Sequence, residues 1–169
     1  MDVKDDRAPI FAGVERKYGF VPNLIREMAR HSPAVARVYL GGQEAMARAT
    51  LTPAERQAVQ LAVSSKNGCE YCQAAHRTAG RMTGVSKEEL EAIEQGRAPA
   101  TPRLRSLVVA TRLVMDKRGF LEEADLKALE ADGVSRTELY EVVALIGLKT
   151  ISNYVNHIAH TPLDAAFAR

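Results

Sequence analysis

The chain has 169 residues, enough for one domain with a real core. Its formal net charge of +2, spread over interspersed acidic and basic residues, argues against a nucleic acid or an acidic membrane surface as partner. No stretch approaches the roughly 20 apolar residues of a membrane span, and the acidic start MDVKDDRAPIF lacks the basic-then-apolar order of a signal peptide. The expected location is therefore the cytoplasm, where two nearby cysteines point to catalysis or metal binding rather than to a structural disulfide.

In chain order, residues 1–20, with Pro9, Gly13 and Gly19, read as an N-terminal arm, which leaves 21–169 as one helical domain. Ser32-Pro33 opens a helix, with proline at the first helical position. Thr52-Pro53 opens another, and Glu55 three residues after the threonine completes a capping box. Ala58, Val59, Ala62 and Val63 then recur at helical spacing. Asn67-Gly68 would signal a hairpin between strands; helical patterns on both sides make it a break between helices. Ser86 with Glu89 starts a short helix, and GRAPATP at 96–102 is a loop or linker. Thr101-Pro102 begins a helix carrying Leu104, Leu107, Val108, Thr111 and Val114 on one face, ending near Gly119. A short helix in FLEEADLKALEADG closes at Gly133, and Ser135 with Glu138 opens the last one. No segment alternates with period two, so the fold class is all-α, a multi-helix bundle in a single compact domain.

Both cysteines and one histidine fall in NGCEYCQAAH, residues 67–76. In a helix starting near Cys69, the sulfurs of Cys69 and Cys72 and the ring of His76 share a face. The first turn of a helix favours thiolate over thiol. A second thiol one turn along condenses with a sulfenic acid on its neighbour, and an imidazole one turn further moves protons near neutral pH. Zinc would need ligands from His31, His157, His160 or carboxylates. A disulfide here would close a tiny loop and restrain little, and an inert buried pair is a further alternative. A thioredoxin-like pair would follow a strand, which is missing. His31 reads as a loop or cap residue and His160 as a partner of a helix C-terminus. Asn153 and His157, four apart, are either polar groups at a helix or subunit contact, or groups at the site rim.

The stretch LTPAERQAVQLAVSSKNGCEYCQAAH resembles the core of the AhpD-like alkylhydroperoxidases of the carboxymuconolactone decarboxylase superfamily, placing that core at about 51–84. IGLKTISNYVNHIAHTPLD is similar to the family's closing helix, and YGFVPNLIREMARHSP to the lead-in of its peroxidase-related subgroup. The resemblance implies an all-α bundle assembled as a homotrimer or hexamer, with neither metal nor cofactor. It implies reduction of organic hydroperoxides or hydrogen peroxide, with Cys72 forming the sulfenic acid, Cys69 closing the disulfide and His76 relaying the proton. An external dithiol (a lipoyl protein, a thioredoxin-like protein or a small thiol) would restore the pair. The helix dipole favours Cys69 as the more acidic thiol, whereas the resemblance puts the sulfenic acid on Cys72.

Two positions depart from the family pattern. Gln57 stands where the relay carries a glutamate, and an amide orients a water or His76 without accepting the proton. Glu55 is the nearest carboxylate in sequence, with Glu44 on the preceding helix as a second candidate. Tyr71 stands where described members carry a histidine. These changes suggest a slower peroxidase, an altered relay or a different thiol substrate. The rival readings are a redox sensor or disulfide-exchange partner on the same thiols, and a lyase like carboxymuconolactone decarboxylase, which shares the fold without needing Cys-x-x-Cys.

Overall fold

The computed structural model describes residues 6–168. Among them are nine α-helices, one 3₁₀ turn and no strand. The helices are α1 (Ala8–Tyr18), α2 (Asn23–His31), α3 (Pro33–Met46), α4 (Pro53–Lys66), α5 (Glu70–Met82), α6 (Lys87–Glu94), α7 (Pro102–Lys117), α8 (Glu123–Ala131) and α9 (Arg136–Ala159), followed by the 3₁₀ turn at Ala165–Phe167.

The starts follow from side-chain caps that satisfy the first free N–H groups. Ser32 accepts from the Val35 N–H, Ser86 from Glu89, and both Thr52/Glu55 and Ser135/Glu138 form full capping boxes. Thr101 works differently: its own N–H donates to the Glu89 carboxylate at 2.9 Å, tying α7 to α6. The segment read from sequence as an arm carries α1, whose Ile10 and Val14 are buried against Val21, Leu24 and Ile25.

Helix α4 is the axis of the bundle. Residues 58–64 are buried without interruption, so this stretch of the helix has no solvent face. On one side Ala58, Leu61 and Ala62 pack with Leu90, Ile93, Leu104 and Val108 of α6 and α7. On another, Val59 joins Leu107, Val114, Leu139, Val142 and Leu145 of α7 and α9. The third cluster joins α1–α3 to the start of α5, and it contains Tyr39, Tyr71, Cys69 and Cys72. Gly42 lets α3 lie against α9, because a Cβ there would collide with Leu148.

Helix α9 matters most for the site. Its buried stripe runs Leu139, Val142, Leu145, then Lys149, Ser152, Asn153 and Asn156, so the inward face turns from apolar to polar as it passes the cysteines. The chain after α9 returns across the bundle. Asp164 there accepts hydrogen bonds from the Asn23 N–H at 3.2 and 3.1 Å, capping α2, whose own N-cap position is Pro22 and has no capping side chain.

Candidate active site

Helix α4 ends at Lys66, and Gly68, with φ of +67°, reverses the chain in a conformation that suits glycine. The Cys69 N–H returns to the Ser64 carbonyl at 2.9 Å, which leaves Cys69 as the N-cap of α5 and Cys72 one turn inside it. Both thiols are free and buried, and the two cysteines lie 3.5 Å apart. Asn156 of α9 reaches across, its Nδ2 donating to Cys72 Sγ at 3.2 Å and to Cys69 Sγ at 3.8 Å. The Ser152 hydroxyl is 3.8 Å from Cys72 Sγ. Asn156 Oδ1 is buried without a hydrogen-bond partner, an acceptor left beside the two sulfurs.

The thiols are electrostatically unequal. A hydrogen bond from the Cys69 thiol, together with the charge of Lys149, pulls the Cys72 thiol down to about 5 against the opposing effect of burial. Donating to Cys72 and being buried push Cys69 upward. The resting pair is thus a Cys72 thiolate and a protonated Cys69. The dipole favours Cys69 as the more acidic thiol, whereas the contact with Cys69 and the charge of Lys149 favour Cys72.

His76 lies one turn further along α5, and its Nδ1 is 2.8 Å from Gln57 Oε1. An amide oxygen only accepts, so Nδ1 carries the proton and Nε2 keeps its lone pair. Burial first, and then the charge of Lys149, hold the imidazole well below its usual range, so it is neutral. Lys149 itself is only 1% exposed, with Nζ 5.8 Å from the centre of the Tyr39 ring. Burial alone would make it a weaker base; the neighbouring Cys72 sulfur opposes that and pushes the ammonium upward.

These groups line a cavity of about 500 Å³. Cys72, His76, Lys149, Gln43, Gln57 and Gln60 make its polar part, and Phe20, Leu24, Ile25, Leu40, Met82 and Phe167 make an apolar part. Cys69 does not line it and stands behind Cys72. Tyr71 builds the wall: its hydroxyl donates to Asp164, accepts from the Leu24 N–H at 3.3 Å, and its ring meets Phe167 edge-on at 5.8 Å. Burial and then Asp164 push the Tyr71 phenol upward, so it is a fixed, neutral strut.

The remaining residues singled out from sequence lie elsewhere. Glu55 closes its capping box and pairs with Arg103 at 2.6 Å, away from the thiols at the opposite end of α4. Glu44 is exposed and pairs with Arg48 at 3.3 Å, and His31 with Glu27 at 3.1 Å. Asn153 is buried, accepting from Asn67 at 2.9 Å and reaching Ser64, so it pins α9 to the chain reversal before Cys69. His157, one turn on, is exposed and stacked on Tyr154. His160 is the left-handed residue that ends α9. Among the described residues no group of three or more His, Cys, Asp or Glu is arranged to hold a metal ion. Lys149, Ser152 and Asn156 were not singled out from sequence; their signal is the continuation of the Leu139–Val142–Leu145 stripe in polar residues.

A model of the carboxymuconolactone decarboxylase family matches residues 33–101, from α3 to the loop before α7. An uncharacterized peroxidase-related protein from Ralstonia eutropha JMP134, described as an alkylhydroperoxidase AhpD core, superposes with a TM-score of 0.85 at 25% identity, over 96% of this chain and 87% of that one. The fold is AhpD-like, and residues 33–101 are similar to the carboxymuconolactone decarboxylase family. The AhpD-like fold extends to a peroxidase-related protein from Silicibacter sp. TM1040 (TM-score 0.81, 21% identity, 99% of this chain and 89% of that one). It extends also to the debrominase Bmp8 (TM-score 0.75, 22% identity, 95% and 87%). No curated protein matches the chain in sequence. Among the described residues of this AhpD-like chain, no helix is long and apolar enough to cross a membrane.

Proposed function

We propose that this protein is a thiol-dependent peroxidase acting on organic hydroperoxides, with Cys72 as nucleophile, Cys69 as resolving thiol and His76 as proton carrier. The observation that carries the reading is geometric: two free, buried thiols 3.5 Å apart, with Cys72 facing the cavity beside Lys149 and His76 and Cys69 behind it. Cys72 attacks the terminal peroxide oxygen and becomes a sulfenic acid, whose hydroxyl finds an acceptor in Asn156 Oδ1. Cys69 then displaces that hydroxyl as water and closes the disulfide. The apolar part of the cavity favours a peroxide with a hydrocarbon body over hydrogen peroxide. The oxidised pair returns to dithiol through an external reductant such as a lipoyl protein, a thioredoxin-like protein or a small thiol. On the outer face of α9, the exposed row Tyr140, Val143, Tyr154 and Ile158 supports assembly into a homotrimer or hexamer. The composition supports a cytoplasmic location.

Stopped-flow oxidation by cumene hydroperoxide tests the reading. Cys72→Ser is expected to abolish turnover, and Cys69→Ser to leave a trappable sulfenic acid that does not cycle. Unimpaired peroxidase rates in Cys72→Ser would sink the mechanism. Wild-type oxidation no faster than that of a free thiol of the same pKa would favour a redox sensor or disulfide-exchange partner. Because Bmp8 is a debrominase and has been captured with 2,3,4-tribromopyrrole, that compound is the control substrate. Preferential turnover of it would assign the thiols to dehalogenation instead.

A further inference from the structure

Lys149 is the most deeply buried charged side chain among the described residues, at 1% exposure. It lines the cavity together with Cys72, His76 and Gln57, and the groups that act on it electrostatically are Tyr39, Cys72 and Cys69, with no carboxylate among them. Burying an ammonium without a counter-charge costs several kcal/mol. The cost is met where a neighbour carries the opposite charge, and the cavity wall offers the Cys72 sulfur.

A peroxidase also needs an acid. The oxygen that leaves when the O–O bond breaks departs as an alkoxide, a strong base comparable to hydroxide. The positions expected to supply its proton are disarmed here. Gln57 is an amide, and His76 is neutral with its Nδ1 proton committed to Gln57. An ordinary ammonium, with a pKa of ~10.4, is acidic enough to protonate an alkoxide.

Building on the peroxidase reading above, we infer that Lys149 is a catalytic acid: its ammonium neutralises the Cys72 thiolate at rest and then protonates the departing oxygen. The electrons and protons balance as follows. The Cys72 sulfur supplies the electron pair that forms the S–O bond, the O–O bond breaks, and the alkoxide takes a proton from Lys149. The products are an alcohol, a Cys72 sulfenic acid and a neutral Lys149 amine. His76 Nε2, which keeps its lone pair, then takes the Cys69 proton as the Cys69 sulfur attacks Cys72, and passes it to the leaving hydroxide, which departs as water. Reduction by an external dithiol delivers two protons. One stays on Cys69 and the other returns to Lys149, restoring the thiolate–ammonium pair.

Lys149→Met keeps an unbranched side chain one atom shorter and removes both charge and proton. The test is single-turnover oxidation of Cys72 by two oxidants. Cumene hydroperoxide releases an alkoxide that needs a proton, whereas peracetic acid releases acetate, which does not. Both rates are corrected for the thiolate fraction, read from ultraviolet thiolate absorbance. The expected result is a loss on the order of 10²–10⁴-fold with cumene hydroperoxide, while the peracetic acid rate changes less than about tenfold. Tyr39→Phe should leave the ratio of the two rates unchanged. Equal loss with both oxidants in Lys149→Met, or a selective loss in Tyr39→Phe instead, overturns the acid role. A wild-type protein inert to both oxidants overturns the peroxidase reading itself. If Lys149→Met does not fold, the wild-type rate across hydroperoxides of graded leaving-group acidity decides. A shallow dependence supports an internal acid, and a dependence as steep as that of a free thiol overturns it.

Discussion

Replacing Cys69 by alanine removes the largest influence holding Cys72 as a thiolate, the hydrogen bond from the neighbouring thiol. The native arrangement moves Cys72 from the 9.0 of an ordinary thiol down to about 5. At pH 7 a thiol titrating near 9 is ~1% ionised, and one titrating near 5 is ~99% ionised. Full loss of the displacement would therefore cut the reactive fraction about a hundredfold. Lys149 and Asn156 remain in Cys69→Ala, so the inflection should move up part of the way, by roughly one to two units if a hydrogen bond to a charged group is worth ~1.5–3 kcal/mol. Cys69→Ser should move it less, because a serine hydroxyl still donates to the sulfur. The assay is the pH dependence of Cys72 alkylation by a small reagent, with mass spectrometry identifying the modified residue. An inflection that stays near 5 in Cys69→Ala would refute the assignment of the thiol hydrogen bond as the main cause. An inflection near 9 in the wild type would refute the whole electrostatic argument.

Gln57→Glu places a carboxylate 2.8 Å from His76 Nδ1, so the imidazole should gain a proton at higher pH than in the wild type; proton NMR titration of His76 reads this directly. An unchanged His76 titration would mean that residue 57 does not govern the ring. Glu55→Gln removes the capping-box carboxylate and its pairing with Arg103, with an expected loss of ~1 kcal/mol in urea unfolding at pH 7 and no change in the Cys72 inflection. Arg103 and the Thr52 contacts hold the Glu55 carboxyl below its usual 4.5, against burial. Its contribution is therefore present above pH 4.5 and is lost as pH falls through and below that value. A Cys72 inflection that moves with Glu55→Gln would give this carboxylate a part in the chemistry.

The helix starts were legible because capping is local: a serine or threonine with a glutamate three residues later announces α4, α6 and α9 without reference to the rest of the fold. The clustering of Cys69, Cys72 and His76 within two turns of α5 was legible for the same reason, but not that Cys72 and His76 line the cavity while Cys69 does not. Helix α1 was harder to see, because its anchorage rests on only two buried residues, Ile10 and Val14, flanked by charged and small ones. The contribution of α9 was hidden by distance: Asn156 reaches a sulfur 84 residues earlier in the chain. In a sequence, Lys149, Ser152 and Asn156 look like a solvated helical face. Only their register with Leu139, Val142 and Leu145 shows that they point inward, and no local rule says what they meet there. Gln57 and His76 are 19 residues apart on different helices, so the family pattern suggested their pairing and the packing of α4 on α5 supplies the contact.

The clasp formed by Asp164 sets an order of assembly. Tyr71 and Asp164 are separated by 93 residues, and Asn23 lies 141 residues before Asp164. A ribosome therefore delivers the thiols, their helix and most of the bundle well before the carboxylate that caps α2 and braces Tyr71. During that interval the cavity lacks the Phe167 wall. A nascent chain thus holds its redox pair before the chamber that shelters it is closed.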